Sequence, residues 1–293
     1  MTIVLERLIA ELEEDGSLDQ PDHVRQRLEA LDRLDSFLLN GELPAAGARP
    51  AKGGIHRRAR MLYEKLELAN VELYKAIRSE IQRGAGRSAL LHWASELGCG
   101  RSASDHINGE GYDGLDELIS GVLQLKKPAT AVTPLEAEMV LYQPTPARHI
   151  FDLMDRVALN QDDVLIDLGS GLGHVSLVAA ICTDARCIGV ELEAENADCA
   201  RRSAHELNLN NATFIQQDAR AADFSGGTVF YLYTPFVGII LRTVLDSLRR
   251  EAARREIRIC TFGPCTATVA EEQWLKAAGA QKADRIGVFC SRD

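Results

Sequence analysis

The chain has no surplus of basic residues. It carries 33 Lys and Arg against 43 Asp and Glu, which gives a formal net charge of −10. A protein that grips a polyanion along its surface usually has the opposite balance. We therefore expect no nucleic-acid partner.

The chain also has no apolar run of the roughly 18 residues that a membrane-spanning helix needs, so we predict no membrane segment. Glu6 and the acidic run from Glu11 break the apolar character of the first residues, and we expect no signal peptide. The seven cysteines contain no CxxC pair, and the histidines have no metal-ligand spacing. These absences favour reduced, buried thiols, a cytoplasmic location and no bound metal.

What the chain does have is the stretch Val164–Ser176, VLIDLGSGLGHVS. Its first three residues form the short apolar run of a buried parallel strand. Three glycines then follow Asp167 at alternate positions, namely Gly169, Gly171 and Gly173, and the next residues are again apolar. Because glycine lacks a Cβ, such a strand, turn and helix let the backbone approach a bound cofactor closely.

Strands and helices alternate from this stretch to the C-terminus. Further strands are predicted at 187–191, 212–216, 228–233, 257–262 and 286–290, with helices at 193–207, 237–254 and 267–278. This alternation predicts an α/β fold with a doubly wound, mostly parallel sheet.

The first 132 residues are predicted to be all-helical, so we divide the chain into an α-helical domain at 1–132 and a sheet domain at 133–293. The Gly-, Ala- and Pro-rich segment 41–54 is interpreted as a linker or loop. The long helix predicted at 56–83 has an apolar stripe that favours packing inside its own domain. A homodimer seam through these helices is the alternative.

Polar residues fall where the first four predicted strands end, which is where ligands bind in such sheets. Asp167 and Glu191 end the first two strands, and Asp218 follows the third. Tyr233–Phe236, YTPF, ends the fourth. Each acid has a role if the ligand is S-adenosylmethionine (SAM). Asp167 can hold the methionyl ammonium, Glu191 can accept both ribose hydroxyls, and Asp218 can accept from the adenine amino group.

A dinucleotide is the competing ligand. Its GxGxxG fingerprint needs a third glycine at the position of His174, whereas the glycine stands at Gly173. The sequence also has no second βαβαβ half. SAM is therefore the favoured cofactor.

The motif DLGSGLG, with Glu191 and Asp218, resembles the class I, seven-stranded Rossmann-like SAM-dependent methyltransferases over about residues 140–293. Tyr142–Pro146, followed by a helix and this motif, is similar to the non-SET histone-lysine methyltransferases and their bacterial and archaeal protein-lysine relatives. The resemblance implies that Tyr142 and Thr145 help to enclose the cofactor and that His174 lies near its methionyl group. The predicted cofactor-binding residues are then Tyr142, Thr145, Asp167, Gly169, Ser170, Gly171, Gly173, His174, Glu191, Asp218 and Ala219.

The sequence departs from these relatives at two places. The fourth strand ends in YTPF, not in the Asn-containing motif of the histone enzymes or in (D/N)PP(Y/F). We predict that Tyr233 and Thr234 are the catalytic residues and orient the acceptor, with Pro235 holding Thr234 extended. One convincing strand follows the last helix where the family has an antiparallel pair, and 281–285 is the candidate for the second.

The function predicted from the sequence is methyl transfer from SAM to an acceptor, with a protein lysine as the candidate acceptor. A small-metabolite N- or O-methyltransferase and a non-catalytic SAM-binding regulator are the alternatives. We expect the helical domain to cap the substrate side of the sheet.

Overall fold

The computed structural model describes residues 2–39, 50–98, 111–125 and 137–292, without the side chains of 2, 39 and 50–53. The chain divides into two compact units, Met1–Ile77 and Arg78–Asp293. The boundary between these two compact units falls inside the helix Pro50–Gln82. The division into functional domains at 132/133 stays a prediction.

The first unit is helical, as the sequence predicts. It contains α1 (Thr2–Glu14), α2 (Val24–Leu39) and most of α3 (Pro50–Gln82). The guanidinium of Arg27 is fully buried and donates to Asn70 Oδ1 at 2.6 Å and to two backbone carbonyls of the preceding turn. Residues 41–49 of the predicted linker lie outside the described residues, and its last residues begin α3.

The second unit begins with the end of α3 and adds three helices before the sheet, namely α4 (Gly86–Glu96), α5 (Gly114–Leu123) and α6 (Ala147–Val157). Helix α4 packs on the helix at His174–Cys182, and α5 packs on that helix and on α6. Helices α4 and α5 therefore pack with the sheet, because their buried leucines cover its helical layer.

The sheet has seven strands in the order β3-β2-β1-β4-β5-β7-β6, which confirms the predicted class I, Rossmann-like fold. Strands β1 to β5 are parallel, and β7 is antiparallel to both of its neighbours. The strands are β1 (Val164–Leu168), β2 (Arg186–Glu191), β3 (Ala212–Gln216), β4 (Val229–Tyr233), β5 (Arg258–Phe262), β6 (Leu275–Ala277) and β7 (Gly287–Ser291). The connecting helices are α7 (His174–Cys182), α8 (Ala194–Glu206), α9 (Gly238–Ala252) and α10 (Cys265–Ala270).

The C-terminal part of the prediction was wrong in one place. The helix predicted at 267–278 is the shorter α10, and the second antiparallel strand is β6, not 281–285. Leu275 is buried, and Ala277 pairs with Phe289 in β7. Pairing with the next strand along the chain outweighs local helix propensity here.

Alternate residues of β4 point to opposite faces of the sheet. Phe230 and Leu232 join an apolar cluster with α9. Tyr231 and Tyr233 lie on the other face, where the hydroxyl of Tyr231 meets Thr145 just before α6. The first set forms core and the second set reaches the site.

Two expectations drawn from absences concern other parts of the chain. Among the described residues, six cysteines are free and five of them are buried, as predicted, while Cys99 lies outside those residues. None of the helices in the described ranges is long and apolar enough to cross a membrane.

Candidate active site

A cavity of about 630 Å³ lies at the carboxyl ends of β1 to β4, entirely within the second unit. Between β1 and β4 the strand order reverses, which is the usual ligand position in an open α/β sheet. Eleven of the predicted site residues line the cavity, namely Tyr142, Thr145, Asp167, Gly169, Ser170, His174, Glu191, Asp218, Ala219, Tyr233 and Thr234. Gly171 and Gly173 shape the loop beside it.

The glycine loop between β1 and α7 needs glycine for two reasons. Gly169, Gly171 and Gly173 have φ values of 77°, 54° and 89°, in the left-handed region. A Cβ on Gly171 would also overlap the ring of Tyr142, and one on Gly169 would overlap Pro235. The loop is thus fitted closely to the chain segments on either side of it.

Glu191 ends β2 and holds the glycine loop. Its Oε2 accepts from Gly171 N–H at 2.7 Å, and its Oε1 accepts from Glu193 N–H at 2.8 Å. Burial raises the pKa of this carboxyl. Each oxygen keeps a further lone pair, so the predicted bonds to two ribose hydroxyls are compatible with this arrangement.

Asp167, in β1, lies in the floor of the cavity and is 2% exposed. The one hydrogen bond that the described residues give its side chain comes from Ser176 Oγ at 3.5 Å. Burial, together with the nearby charge of Glu191, raises the pKa of Asp167 to about 8. The carboxyl is therefore mostly neutral at pH 7, and a ligand cation would favour its ionised form.

Asp218 is more engaged than the sequence indicates. It accepts from Arg220 N–H at 2.8 Å, and Arg220 Nη2 lies 2.6 Å from its Oδ2. The hydrogen bonds from Arg220 lower the pKa of this carboxyl. An adenine amino group would therefore share the Asp218 carboxylate with Arg220. The sequence analysis did not consider Arg220, although it stands only two residues away.

Residues 138–146, called the strap below, run along the cavity before α6. The start of the strap pairs with the end of the YTPF motif. Met139 bridges Phe236, and Val140 N–H donates to the carbonyl of Pro235 at 3.1 Å. The strap is thereby attached to the segment that leads into α9.

The end of the strap is held by the segment before α5. Tyr112 Oη donates to the carbonyl of Pro144 at 2.8 Å, and Asp116 Oδ1 accepts from Ala147 N–H, the first residue of α6, at 2.6 Å. Burial raises the pKa of Asp116 to about 6. The sequence did not indicate these two residues, because Asp116 lies in α5 and Tyr112 just before it, more than 30 residues from their partners.

Tyr142, in the middle of the strap, contacts the glycine loop. Its ring lies against Gly171, and its hydroxyl is 3.1 Å from His174 Nδ1. Burial lowers the pKa of His174 to about 4, so this imidazole is neutral at pH 7. His174 is then a neutral lining group and not a proton donor of the imidazolium type.

The end of β4 differs from the prediction. Thr234 is not extended: its φ is 38°, in the left-handed region that β-branched residues rarely adopt. Its hydroxyl donates to the carbonyl of Phe262 at 3.1 Å and accepts from Cys265 N–H at 3.0 Å. These two bonds outweigh the preference that Pro235 imposes and tie the hydroxyl to the β5–α10 turn. Tyr233 keeps its place in the cavity wall, with its ring 4.7 Å from that of Phe262.

The charged groups of the cavity fit a cationic ligand. Its ionisable acids are Asp167, Glu191, Glu193, Glu195 and Asp218, and its described lining includes neither Lys nor Arg. The hydroxyl of Ser170 is buried without a partner among the described residues. A sulfonium and an ammonium would meet carboxylates here, so the site fits SAM. The described ranges contain no His, Cys, Asp and Glu cluster that could hold a metal.

Comparisons with known proteins give one family match. A model of the family described as "Histone methylation protein DOT1" matches residues 138–227, from the strap through Asp218. The chain has no match among curated protein sequences.

Solved structures that are similar include an RNA methyltransferase from Salinibacter ruber in complex with S-adenosyl-L-homocysteine, at 22% identity over 51% of this chain and 92% of that one, with a TM-score of 0.41. A putative SAM-dependent methyltransferase from Methanococcus maripaludis is 12% identical over 49% of this chain and 83% of that one, with a TM-score of 0.40. TrmN from Thermus thermophilus is 17% identical over 49% of this chain and 48% of that one, with a TM-score of 0.38. The strand order and the site together define the fold class of this chain as that of the Rossmann-like methyltransferases.

Proposed function

We propose that this chain is a SAM-dependent methyltransferase that transfers the methyl group to an amine, with a protein lysine as the acceptor. The observation that carries the proposal is the convergence of Asp167, Glu191 and Asp218 on one cavity beside the glycine loop. Three acids from successive strand ends match the three polar parts of SAM.

The cofactor supplies the chemistry, since a methyl group on a sulfonium can be attacked in line by a nucleophile. The chain's residues bind and orient. Glu191 fixes the glycine loop and accepts ribose hydroxyls, Asp167 neutralises the methionyl ammonium, and Tyr142 covers Gly171. Such positioning supplies much of the rate when little acid–base chemistry is needed.

The acceptor side of the cavity supports an amine. Its walls from the YTPF motif and α9 carry no charged side chain and consist of Tyr233, Thr234, Pro235, Phe236, Val237 and Ile240. Desolvation in such a wall favours the neutral form of an amine, which is the nucleophilic form. The family match over 138–227, to a model described as a histone methylation protein, supports a protein acceptor. The absence of Lys and Arg from the described lining supports an acceptor other than nucleic acid.

A small-molecule amine or alcohol is the second candidate acceptor. The cavity of about 630 Å³ is within the range of small-molecule sites, which favours this candidate. Both candidate acceptors would use the same SAM-binding part of the site. They differ only in the molecule that would reach the SAM methyl group beside Tyr233.

The test is incubation with methyl-tritiated SAM and a fractionated host lysate, followed by acid hydrolysis of the labelled protein. We expect label in methyl-lysine, and we expect less of it with Glu191→Ala at a SAM concentration that does not saturate this variant. Asp198→Ala is the matched control, because Asp198 is an exposed acid on α8 that pairs with Arg201. Label in small molecules alone would select the second candidate. SAM binding without label in any fraction would identify a non-catalytic regulator.

Tyr233→Phe tests the acceptor wall. The phenol is too weak a base to take a proton at pH 7, so its role is to orient the acceptor. We expect SAM affinity to stay within about threefold while turnover falls about tenfold or more. Unchanged turnover would mean that Tyr233 only packs against Phe262.

A further inference from the structure

Two buried hydroxyls meet in the floor of the cavity. Thr145 Oγ1, from the strap, lies 2.9 Å from Tyr231 Oη, from β4. Thr145 is 6% exposed and Tyr231 is 1% exposed, and both line the cavity. The sequence reasoning did not select Tyr231, which stands two residues before Tyr233 on the same face of the sheet.

A count of hydrogen atoms shows that this pair is incomplete. Two hydroxyls carry two O–H hydrogens, and their mutual bond uses one of them. The other has no acceptor among the described residues, since the contact with each other is the one hydrogen bond that both hydroxyls make there. A buried donor without a partner is unfavourable, so a ligand that supplies an acceptor would gain affinity from the pair.

At 2.9 Å either hydroxyl can donate to the other, and their chemistry favours one direction. A phenol is the stronger donor and an aliphatic hydroxyl the better acceptor, so the shared bond runs from Tyr231 to Thr145. The hydroxyl of Thr145 then has its own hydrogen free for a ligand in the cavity.

The acceptor that SAM brings to this place is its methionyl carboxylate. Tyr231 is in register with Asp167 on the neighbouring strand β1, and Asp167 is the group assigned to the methionyl ammonium. The carboxylate next to that ammonium must enter a cavity whose ionisable acids include Asp167 and Glu191 and whose described lining has neither Lys nor Arg. Neutral donors are therefore what this part of the chain offers to an anion.

We propose that Tyr231 is a positioning residue that holds the Thr145 hydroxyl so that it donates to the methionyl carboxylate of SAM. The proposal rests on the proposed function, because it takes SAM as the cofactor. In this proposal Tyr231 does not contact the reacting atoms. Tyr231 acts by orienting the hydroxyl of Thr145.

The test compares SAM with decarboxylated SAM, which keeps the ammonium and the sulfonium and lacks the carboxylate. Dissociation constants for both ligands are measured by calorimetry with the full chain, Tyr231→Phe, Thr145→Val, Thr145→Ser and the Tyr231→Phe/Thr145→Val double variant. We expect Thr145→Val to weaken SAM about tenfold and Tyr231→Phe about three- to tenfold, the scale of a lost hydrogen bond to a charged group.

Three further results are required. The dissociation constant for decarboxylated SAM should be the same in each of the four variants as in the unaltered chain. Thr145→Ser should restore SAM affinity, because it keeps the hydroxyl, and the double variant should be no weaker than Thr145→Val. Tyr112→Phe is the matched control, because it removes another tyrosine hydroxyl that holds the strap, at Pro144, and should leave the ratio of the two affinities unchanged.

Equal losses for both ligands would show that the pair only supports the fold, and unchanged SAM affinity in Tyr231→Phe would remove this residue from the site. Either result overturns the inference. If the unaltered chain binds no SAM, the proposed function itself fails, and that outcome differs from both.

Discussion

At the scale of single residues, the site is governed by the cost of burying carboxyl groups. Asp167 has a pKa raised to about 8 by burial and by Glu191, whereas an unfolded Asp titrates near 4. A folded chain therefore holds this proton through pH 7. A bound cation changes that balance.

The first prediction concerns this proton. At pH 6 to 7, binding of SAM should release a proton from Asp167, because the ammonium stabilises the carboxylate. Calorimetry in buffers with different ionisation enthalpies measures the release, and Asp167→Asn should abolish it. Binding enthalpies independent of the buffer in the unaltered chain would contradict the raised pKa.

The same shift has a consequence for stability without ligand. The folded pKa exceeds the unfolded one, so the contribution of Asp167 is fully present below about pH 4 and is lost as pH rises towards 8. Denaturant unfolding of the unaltered chain should show this decline between these pH values. Asp167→Asn should flatten it, and an identical pH dependence in both chains would exclude Asp167 as its source.

The second prediction concerns Glu191. Glu191→Ala removes a carboxylate that holds two backbone N–H groups, so it should weaken SAM binding by about 1–3 kcal/mol. Calorimetry gives the change directly, with Asp198→Ala as the surface control. An unchanged affinity would remove Glu191 from the cofactor site.

At the scale of elements, the turn after β4 is held by contacts that only the folded chain makes. Thr234 keeps a φ of 38° because its hydroxyl bonds the carbonyl of Phe262 and the N–H of Cys265. Left-handed backbone in a β-branched residue costs about 1–3 kcal/mol unless its surroundings compensate. Local rules predict an extended residue here, and they fail because Phe262 and Cys265 are distant in sequence.

The third prediction follows from that turn. Thr234→Val keeps the branched shape and removes the hydroxyl, so it should lower the free energy of unfolding by about 2–4 kcal/mol through two lost bonds. Thr234→Ser should stay close to the unaltered chain. Denaturant titration measures both variants, and equal stability of Val and Ser would show that the hydroxyl does not hold the turn.

How much of the site can be predicted from the sequence depends on how far apart in the sequence the contacting residues are. The glycine loop and its strand-end acids were predictable, because each is marked by residues next to a strand. The Tyr231–Thr145 pair and the Asp116–Ala147 bond join segments that are far apart in the sequence, so no local pattern marks them. Strand β6 was missed for another reason, because it has only three residues and its pairing with β7 defines it.

At the scale of the whole molecule, the compact units and the predicted domains imply different fragments. Helices α4 and α5 pack on α6 and α7 within the second unit, and α5 and its approach hold the end of the strap. A fragment that begins at residue 133 lacks both α4 and α5 and would expose the apolar surfaces of α6 and α7 that they cover. One that begins at residue 78 would keep them covered.

The fourth prediction is therefore that residues 78–293 form a soluble, cooperatively unfolding fragment that binds SAM, and that residues 133–293 do not. Circular dichroism, thermal unfolding and calorimetry test both fragments. A folded, SAM-binding fragment 133–293 would show that α4 and α5 are dispensable. Loss of turnover in 78–293 with SAM binding retained would support a substrate role for the first unit.

Gly171 and Tyr142 form a single steric unit, because the ring of Tyr142 fills the space that a side chain at 171 would take. Gly171→Ala should lower SAM affinity and stability through two separate costs, the overlap with the ring and the positive φ of 54°. Adding Tyr142→Ala should recover the first cost and leave the second, which a double-mutant cycle in thermal stability would resolve. Over evolutionary time the two positions should change together, so that among related sequences a bulkier residue at 171 is accompanied by a smaller one at 142.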